Sequence, residues 1–491
     1  MNRWMRALTS TLLVLVLAGL LGLAALQAVP GLPDAFRPAP PAAPSPTHDA
    51  GSEPALRPAS ATALPPLPGD AARPEAAALR RALDKAFDGR GGVFHASVVD
   101  VSTGDPLYDR DASAPAVPAS SLKVATAAAA LSVLGADSTL RTAVVRASED
   151  SVVLVGGGDV LLGAGRSGES VVGRAGLRTL AASTAAALLE DADGAAPPAD
   201  GEKRRALRVL LDDSLFTGAA LSPVWDESLV ATSNIAAVQP VALYGARKDS
   251  APGSPRVGDP ALTAARTFRT LLAAELAERQ GGAGGPAGGL RVARGVERGP
   301  AGEGAPELAS VESAPVRDQL RHMSEASDNY VAEAMGRLVA LGVGKPASFG
   351  GAAEAVKEAV ARMGVDTSGM ALADASGLAR ASRISPAQLA GVLRAAATSP
   401  DADLRELTYL LPIAGATGTL ESRLDGDATR GLVRAKTGTL AGVATLTGSV
   451  VTADGRLLAF SFFAHDVPGS LKPARAALDR AATVLAGCGC R

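Results

Sequence analysis

Three short motifs and the unequal distances between them limit the fold of this 491-residue chain more than any other feature. In chain order they are Ser120-Ser121-Leu122-Lys123, Ser327-Asp328-Asn329 and Lys436-Thr437-Gly438. Ser120 and Ser327 are 207 residues apart, whereas Asn329 and Lys436 are only 107 apart. The longer interval predicts that one or more additional domains are inserted after the first motif.

The first motif fits the requirements of a nucleophilic serine. A serine hydroxyl is a weak nucleophile and needs both a base and groups that stabilise negative charge. On a helix, positions i and i+3 share a face, which places Lys123 beside Ser120. The run from Val124 to Leu134 is almost entirely apolar, so an ordinary surface lysine at this place is the less favoured alternative. Desolvation and the positive charge of Lys436 would remove the lysine proton.

The other two motifs can supply polar side chains to the same cleft. Ser327 and Asn329 would face it from a short loop between helices, although a simple helix N-cap is the alternative. Lys436 and Gly438 would share one side of a strand, and Gly438 would leave room for a substrate backbone. Thr439 follows with an N–H group and a hydroxyl, so an acidic substrate terminus would meet Lys436 and the threonine hydroxyls. An ordinary edge strand is the alternative here.

The N-terminal sequence predicts export from the cytoplasm. Arg3 and Arg6 precede an apolar run from Leu12 to Leu26, as in an export signal. We interpret residues 1–28 as a signal peptide or an N-terminal membrane anchor, with both alternatives open. Residues 29–73 are rich in proline and alanine and are typical of a disordered tether. The remaining chain would lie outside the cell membrane, either exported or anchored to it.

Composition argues against several classes of partner. The net charge is −2 and basic residues are scattered, which does not favour nucleic acid binding. The four histidines are isolated from one another and from acidic or cysteine clusters, so we expect no metal site and no cofactor. The two cysteines, Cys488 and Cys490, lie in the tail 488–491, where they would be inert or, alternatively, take part in surface thiol chemistry.

The pattern of helices and strands predicts an α+β protein. Residues 74–141 and 317–487 would form one catalytic domain, in which an antiparallel sheet is flanked by helices and joined to an all-helical part. Residues 142–316 would form one or two inserted β-rich domains. An Asp-Gly turn at Asp454-Gly455 predicts a hairpin near the C-terminus, followed by a closing helix from Lys472 to Ala486.

Together these features resemble the class C low-molecular-mass penicillin-binding proteins, which are D-alanyl-D-alanine carboxypeptidases and endopeptidases of bacteria. The resemblance extends from about residue 75 to 487 and rests on the three motifs together with four further segments: Leu154 to Asp159, Asp213 to Gly218, Asp374 to Pro386, and Leu411 to Leu420. It implies the penicillin-binding serine transferase fold. Class A β-lactamases share the three motifs but have a much shorter interval after the nucleophile.

The resemblance also implies a role for each site residue. Ser120 would attack the carbonyl between two D-alanines, Lys123 would act as the base, and Ser327 with Lys436 would relay the proton to the leaving D-Ala. The backbone N–H groups of Ser120 and Thr439 would form the oxyanion hole. The substrate-binding residues would be Asn329, Lys436, Thr437, Gly438 and Thr439.

The expected partners are peptidoglycan stem peptides and β-lactams, with membrane contact only through the N-terminal segment. The balance of carboxypeptidase and endopeptidase activity, the diamino acid of the stem peptide and the oligomeric state stay open. Two other functions are alternatives: a sensor or wall-binding module that is acylated without turnover, and a β-lactamase.

Overall fold

The computed structural model describes residues 71–88, 91–168, 174–193, 206–281 and 290–489. The predicted export segment 1–28 and nearly all of the predicted tether 29–73 lie outside these residues. Within the described ranges, no helix combines the length and the apolar character that a membrane span requires.

Eleven α-helices form within the described residues. Several begin at recognisable caps: Asp259, Asp328 and Ser385 each accept hydrogen bonds from backbone N–H groups of the first turn. The helices are α1 (Ala76–Phe87), α2 (Leu122–Leu134), α3 (Leu177–Asp193), α4 (Ser228–Ala231), α5 (Pro260–Arg279), α6 (Val316–Glu325), α7 (Asn329–Gly342), α8 (Phe349–Arg362), α9 (Pro386–Ala397), α10 (Ala402–Arg405) and α11 (Lys472–Ala486).

The strands of the described residues form two five-stranded sheets. The first sheet has the order β2-β1-β10-β9-β8 and is antiparallel throughout; the second has the order β6-β5-β4-β3-β7. The strands are β1 (Val93–Asp100), β2 (Pro106–Arg110), β3 (Arg141–Ser148), β4 (Ser151–Val155), β5 (Arg208–Asp212), β6 (Glu297–Arg298), β7 (Glu307–Glu312), β8 (Val433–Leu440), β9 (Val443–Val451) and β10 (Leu457–His465).

The first sheet is buried on both faces, which explains why its central strand is apolar at almost every position. In β10, Phe460 and Phe462 pack with α1 and α11, where Leu79 and Leu478 are fully buried. Phe463, on the opposite face, belongs to the core formed by the helical part. Alternate side chains of a strand point to opposite faces, so one strand contributes to two cores.

Helix α2 lies at the centre of the helical part. Its residues from Leu122 to Leu131 are all buried, so the predicted full burial of this helix is observed. It packs with α6, α7, α8 and α9. The α+β fold, with an antiparallel sheet next to an all-helical part, is therefore confirmed.

The second sheet is mixed rather than purely antiparallel. Strand β3 pairs antiparallel with β4 and β7, whereas β5 pairs parallel with both β4 and β6. Helices α3 and α5 pack with this sheet in a separate apolar core. A parallel pair needs a crossover connection, and α3 lies in the one between β4 and β5. The region predicted to be β-rich therefore also contains helices that pack on its sheet. Its bounds, 142–316, stay a prediction.

The structure of the C-terminus argues against the alternative of surface thiol chemistry at Cys488. Cys488 is 3% exposed and belongs to the core of the first sheet. It is disulfide-bonded and is therefore not a free surface thiol. Cys488 follows the end of helix α11 by two residues. A small cysteine side chain can be buried at this place at little cost.

Candidate active site

Ser120 lies on a tight turn held between the helical part and strand β9. Residues Ala119–Ser121 form one turn of 3₁₀-helix that leads directly into α2. The hydroxyls of Ser121 and Thr445 lie 2.8 Å apart in a buried hydrogen bond, and Thr445 also donates to the carbonyl of Pro118 at 3.0 Å. Ala119 is buried and has a φ of 46°, a conformation that costs energy for a residue with a side chain. The turn is thus fixed on several sides.

Lys123 contacts Ser120 and is itself buried. Its Nζ donates to Ser120 Oγ at 2.9 Å, to Asn329 Oδ1 at 2.7 Å and to the carbonyl of Ser376 at 2.8 Å. The side chain is 1% exposed. Burial lowers the pKa of Lys123 to about 8, against the opposing effect of nearby carboxylates. A substantial fraction of this amine is therefore neutral near physiological pH and able to accept a proton.

The second motif caps a helix and also supplies two side chains to the site. Asp328 accepts from the backbone N–H groups of Tyr330 and Val331 at 2.8 and 3.2 Å, as the capping alternative predicts. Its neighbours Ser327 and Asn329 reach Lys436 and Lys123 instead. Ser327 has a φ of 53°, which turns the chain so that both side chains reach the cleft.

A buried ion pair holds this loop to residues that precede α5. Arg256 Nη2 lies 3.0 Å from Asp328 Oδ1, and both side chains are almost fully buried. Burial acts to raise the pKa of Asp328, but Arg256 and His322 hold it below its usual value. The loss of one partner would leave an uncompensated charge in the interior. The pair therefore fixes the position of the loop that carries Ser327 and Asn329.

Lys436 is the second buried lysine of the site. Its Nζ donates to Ser327 Oγ at 2.9 Å and to the carbonyl of Thr437 at 2.8 Å. Burial lowers its pKa well below the usual value, and the charges of Lys123 and Arg423 add to this effect. The charge of Lys123 therefore disfavours protonation of Lys436, whereas the pKa of Lys123 itself is lowered mainly by burial.

Gly438 allows strand β8 to lie directly against the nucleophile turn. A Cβ atom added at this position would be 3.0 Å from the backbone N of Ser120 and 2.1 Å from Thr445 Oγ1. The space on this side of Gly438 is therefore filled by the protein's own chain. The sequence predicts that Gly438 leaves room for a substrate backbone. On this face of the strand, the nucleophile turn and Thr445 take up that room instead.

The two threonines of the third motif have partners on other elements. Thr437 donates to Thr419 Oγ1 at 2.9 Å, and Thr419 belongs to a short 3₁₀ turn, Gly418–Leu420. Thr439 is exposed at the end of β8 and accepts from Arg475 Nη2 at 3.1 Å. Of the eight predicted site residues, six are thus linked by contacts around Ser120 and Lys436. Thr437 and Thr439 follow along the same strand.

A buried acid that the sequence pattern does not predict lies behind the site. Glu333 lies one turn after Asn329 on α7, is fully buried, and accepts from the backbone N–H of Ser376 at 2.8 Å. The carbonyl of Ser376 in turn accepts from Lys123. Burial raises the pKa of Glu333 to about 8, and Asp374 adds to the shift. Its position in a mostly apolar helix, four residues after Asn329, is a signal that could have identified it.

Asp374 organises the segment that supplies the Ser376 carbonyl. Its carboxylate accepts from Trp225 Nε1 at 3.0 Å, from the backbone N–H of Ala379 at 2.6 Å and from that of Gly377 at 3.1 Å. A Cβ atom at Gly377 would lie 1.9 Å from the carbonyl of Ala119, so this segment also abuts the nucleophile turn. Asp374 therefore positions the surroundings of Lys123 and Ser120 without contacting either through a hydrogen bond in the described structure.

Among the described residues there is no group of three or more histidine, cysteine, aspartate or glutamate side chains that could hold a metal ion. The site instead contains a serine, two buried lysines, an amide side chain and a second hydroxyl. This set of groups is suited to acyl transfer through serine.

Comparisons with known proteins show a family relationship along most of the chain. Residues 79–251 and 259–485 match the family model described as D-Ala-D-Ala carboxypeptidase 3 (S13). Carboxypeptidase DacB of Mycolicibacterium smegmatis is 35% identical over 501 aligned residues, which cover 100% of this chain and 99% of that protein. The D-alanyl-D-alanine carboxypeptidase of Actinomadura sp. is 29% identical, with 85% of this chain and 86% of that protein covered.

A solved structure shows the same fold. Penicillin binding protein 4 of Haemophilus influenzae, complexed with a β-lactam, matches with a TM-score of 0.56 at 22% identity. The match covers 82% of this chain and 98% of that chain. The penicillin-binding fold and the resemblance noted from the sequence are confirmed together. On its motifs, its fold and its matches along most of its length, this chain belongs to the D-Ala-D-Ala carboxypeptidase 3 (S13) family of serine peptidases.

Proposed function

We propose that this protein hydrolyses the D-Ala-D-Ala terminus of peptidoglycan stem peptides through an acyl-enzyme on Ser120. The observation that carries the proposal is the contact between a buried lysine and the nucleophile, Lys123 Nζ to Ser120 Oγ at 2.9 Å. A buried amine with a pKa of about 8 is a suitable base at physiological pH. The established serine carboxypeptidase family of the chain supports the reaction class.

In the first step, Lys123 takes the proton of Ser120 as the hydroxyl oxygen attacks the carbonyl between the two D-alanines. The backbone N–H groups of Ser120 and Thr439 stabilise the oxyanion of the tetrahedral intermediate. Ser327 passes a proton to the amine of the departing D-alanine and is reprotonated, through Lys436, by the proton that Lys123 took from Ser120. The C–N bond breaks and leaves an ester on Ser120.

In the second step, water attacks the ester and Ser120 is released as the free hydroxyl. Asn329 orients the peptide through its amide, while its Oδ1 holds Lys123 at 2.7 Å. β-Lactams would form an analogous ester with Ser120, since the attack of Ser120 on the lactam carbonyl breaks the ring C–N bond and leaves the opened ring on the serine. The complex of the Haemophilus influenzae protein with a β-lactam supports this part of the proposal.

We also propose that the protein acts outside the cytoplasmic membrane, because its proposed substrate lies there. Arg3, Arg6 and the apolar run from Leu12 to Leu26 support export or N-terminal anchoring. In this proposal, residues 74–141 and 317–487 form the catalytic domain.

The test is to incubate the purified protein with a diacetyl-Lys-D-Ala-D-Ala peptide and, separately, with a fluorescent penicillin. We expect release of D-alanine and covalent labelling, both of which a Ser120→Ala variant should lose. Persistent labelling with an intact peptide would instead indicate a sensor, and rapid turnover of the β-lactam without peptide cleavage a β-lactamase. Either of these results would overturn the proposal.

A further inference from the structure

Arg475 lies beside the end of the strand that carries the third motif. It belongs to the first turn of α11, and its Nη2 donates to Thr439 Oγ1 at 3.1 Å. Both residues are exposed, and Thr439 directly follows Gly438, whose backbone abuts Ser120. A guanidinium group is therefore present at the open edge of the site, where a peptide end can reach it.

The charge of Arg475 is not neutralised by a neighbouring acid. Asp479 is one turn further along α11 and would be the natural partner at i+4 spacing. Its carboxylate is instead bound by Arg423, whose Nη2 and Nε lie 2.6 and 3.2 Å from the two oxygens. In the part of the chain that the structure describes, no carboxylate is within ion-pair distance of Arg475.

The contact with Arg475 leaves the hydroxyl of Thr439 able to donate a hydrogen bond to an acidic ligand. A hydroxyl has one donor and two acceptor positions, and the contact with Arg475 occupies an acceptor position. The single O–H of Thr439 is then left to donate to a substrate oxygen. A carboxylate placed there would accept from both the hydroxyl and the guanidinium, and Arg is well suited to such planar two-point contacts.

Lys436 is the less suitable counter-ion for a substrate carboxylate. Its side chain is fully buried and donates to Ser327 and to the carbonyl of Thr437. Burial also lowers its pKa well below the usual value, because the charged form is poorly solvated there. From the sequence, only Lys436 and the threonine hydroxyls are expected to bind the acidic terminus of the substrate. The exposed cation at this edge of the site is Arg475, which that expectation does not include.

We infer that Arg475 and Thr439 together recognise the free C-terminal carboxylate of the peptide substrate and so select acids over C-terminal amides. This inference rests on the proposed function. Arg475 is a specificity-determining residue in this account, since it contacts the carboxylate and takes no part in proton transfer at Ser120.

The experiment compares wild type, Arg475→Gln and Arg475→Lys on diacetyl-Lys-D-Ala-D-Ala and on the same peptide with a C-terminal amide. Loss of an exposed charged hydrogen bond should raise KM for the acid about tenfold, with little change in kcat. Cleavage of the amide should be unchanged, and the Arg475→Lys variant should recover part of the loss. Lys472→Gln is the matched control, because it removes an exposed positive charge from the same turn of α11.

The outcomes separate the two proposals. An unchanged KM for the acid in Arg475→Gln, or an equal loss on acid and amide, would overturn the role of Arg475 while leaving the proposed function intact. A wild-type protein that cleaves neither peptide would overturn the proposed function, and the inference about Arg475 with it. A similar rise in KM in Lys472→Gln would attribute the effect to general charge, which also contradicts a specific role for Arg475.

Discussion

Lys123 and Asn329 lie 206 residues apart in the chain, yet Lys123 Nζ donates to Asn329 Oδ1 at 2.7 Å in the folded protein. The same Nζ atom contacts Ser120 Oγ, so the amide of Asn329 helps to fix the base against the nucleophile. The inserted region separates these residues in sequence without separating them in space, since α2 and α7 pack against each other.

The protonation of Lys123 should control the rate of acylation. Burial lowers its pKa to about 8, and only the neutral amine can accept the Ser120 proton. The neutral fraction grows with pH, so the acylation rate constant should rise about tenfold per pH unit below this pKa and level off above it. The measurement is the rate of labelling by a fluorescent penicillin from pH 6 to pH 9, with circular dichroism as the control for folding. A rate that falls or stays flat from pH 6 to pH 8 would contradict Lys123 as the base.

Glu333 should tune that profile through its charge. Its carboxylate acts to raise the pKa of Lys123, and it also accepts from the N–H of Ser376. Glu333→Gln keeps an acceptor oxygen but cannot carry the negative charge that Glu333 gains as the pH rises through its own pKa of about 8, so the upper part of the rising limb of the pH profile should move to lower pH. Glu354→Gln, which removes an exposed carboxylate on α8, is the control and should leave the profile in place. A shift to higher pH in Glu333→Gln would show that this account of the charge is wrong.

The role of the Ser327 hydroxyl can be separated from the strain of its backbone. Ser327 has a φ of 53°, which glycine adopts easily and alanine does not. Ser327→Ala and Ser327→Gly both lose the acceptor of the Lys436 hydrogen bond, so both should lose acylation activity about 100-fold. The glycine variant should nevertheless be more stable than the alanine variant by about 1 kcal/mol. Thermal unfolding and penicillin labelling measure the two effects, and an active glycine variant would argue against the proton relay.

Gly438 should be required for close packing of β8 on the nucleophile turn. A Cβ atom would overlap Thr445 Oγ1 and crowd the backbone N of Ser120, so Gly438→Ala should destabilise the protein by about 2 kcal/mol and slow acylation. Gly350→Ala is the matched control, since its Cβ on α8 would meet nothing within 4 Å. Equal melting temperatures and equal labelling rates for the two variants would show that the turn tolerates a side chain.

Much of the site is predictable from local sequence because its chemistry depends on short motifs. The i, i+3 spacing of Ser120 and Lys123 specifies their contact once the helix forms, and the apolar run after Lys123 specifies the burial that lowers its pKa. The alternation along β8 likewise places Lys436 and Gly438 on the side that faces Ser327 and Ser120.

What the sequence did not reveal depends on contacts between distant segments. The bond from Arg475 to Thr439 requires α11 to lie next to the end of β8, and the Arg256–Asp328 pair joins the segment before α5 to the loop before α7. The parallel pairing of β4 with β5 similarly depends on how α3 crosses between them. No local pattern encodes these distances, because each arises only when separate elements pack together.

The central claim is that Ser120 is the nucleophile, and locating the acyl group by mass spectrometry tests it most directly. After exposure to penicillin, the protein is digested and the modified peptide is sequenced, with Ser120→Ala as the control. We expect a single adduct on Ser120 and none in the variant. An adduct on Ser121 or on any other residue, or one that persists in Ser120→Ala, would contradict the account.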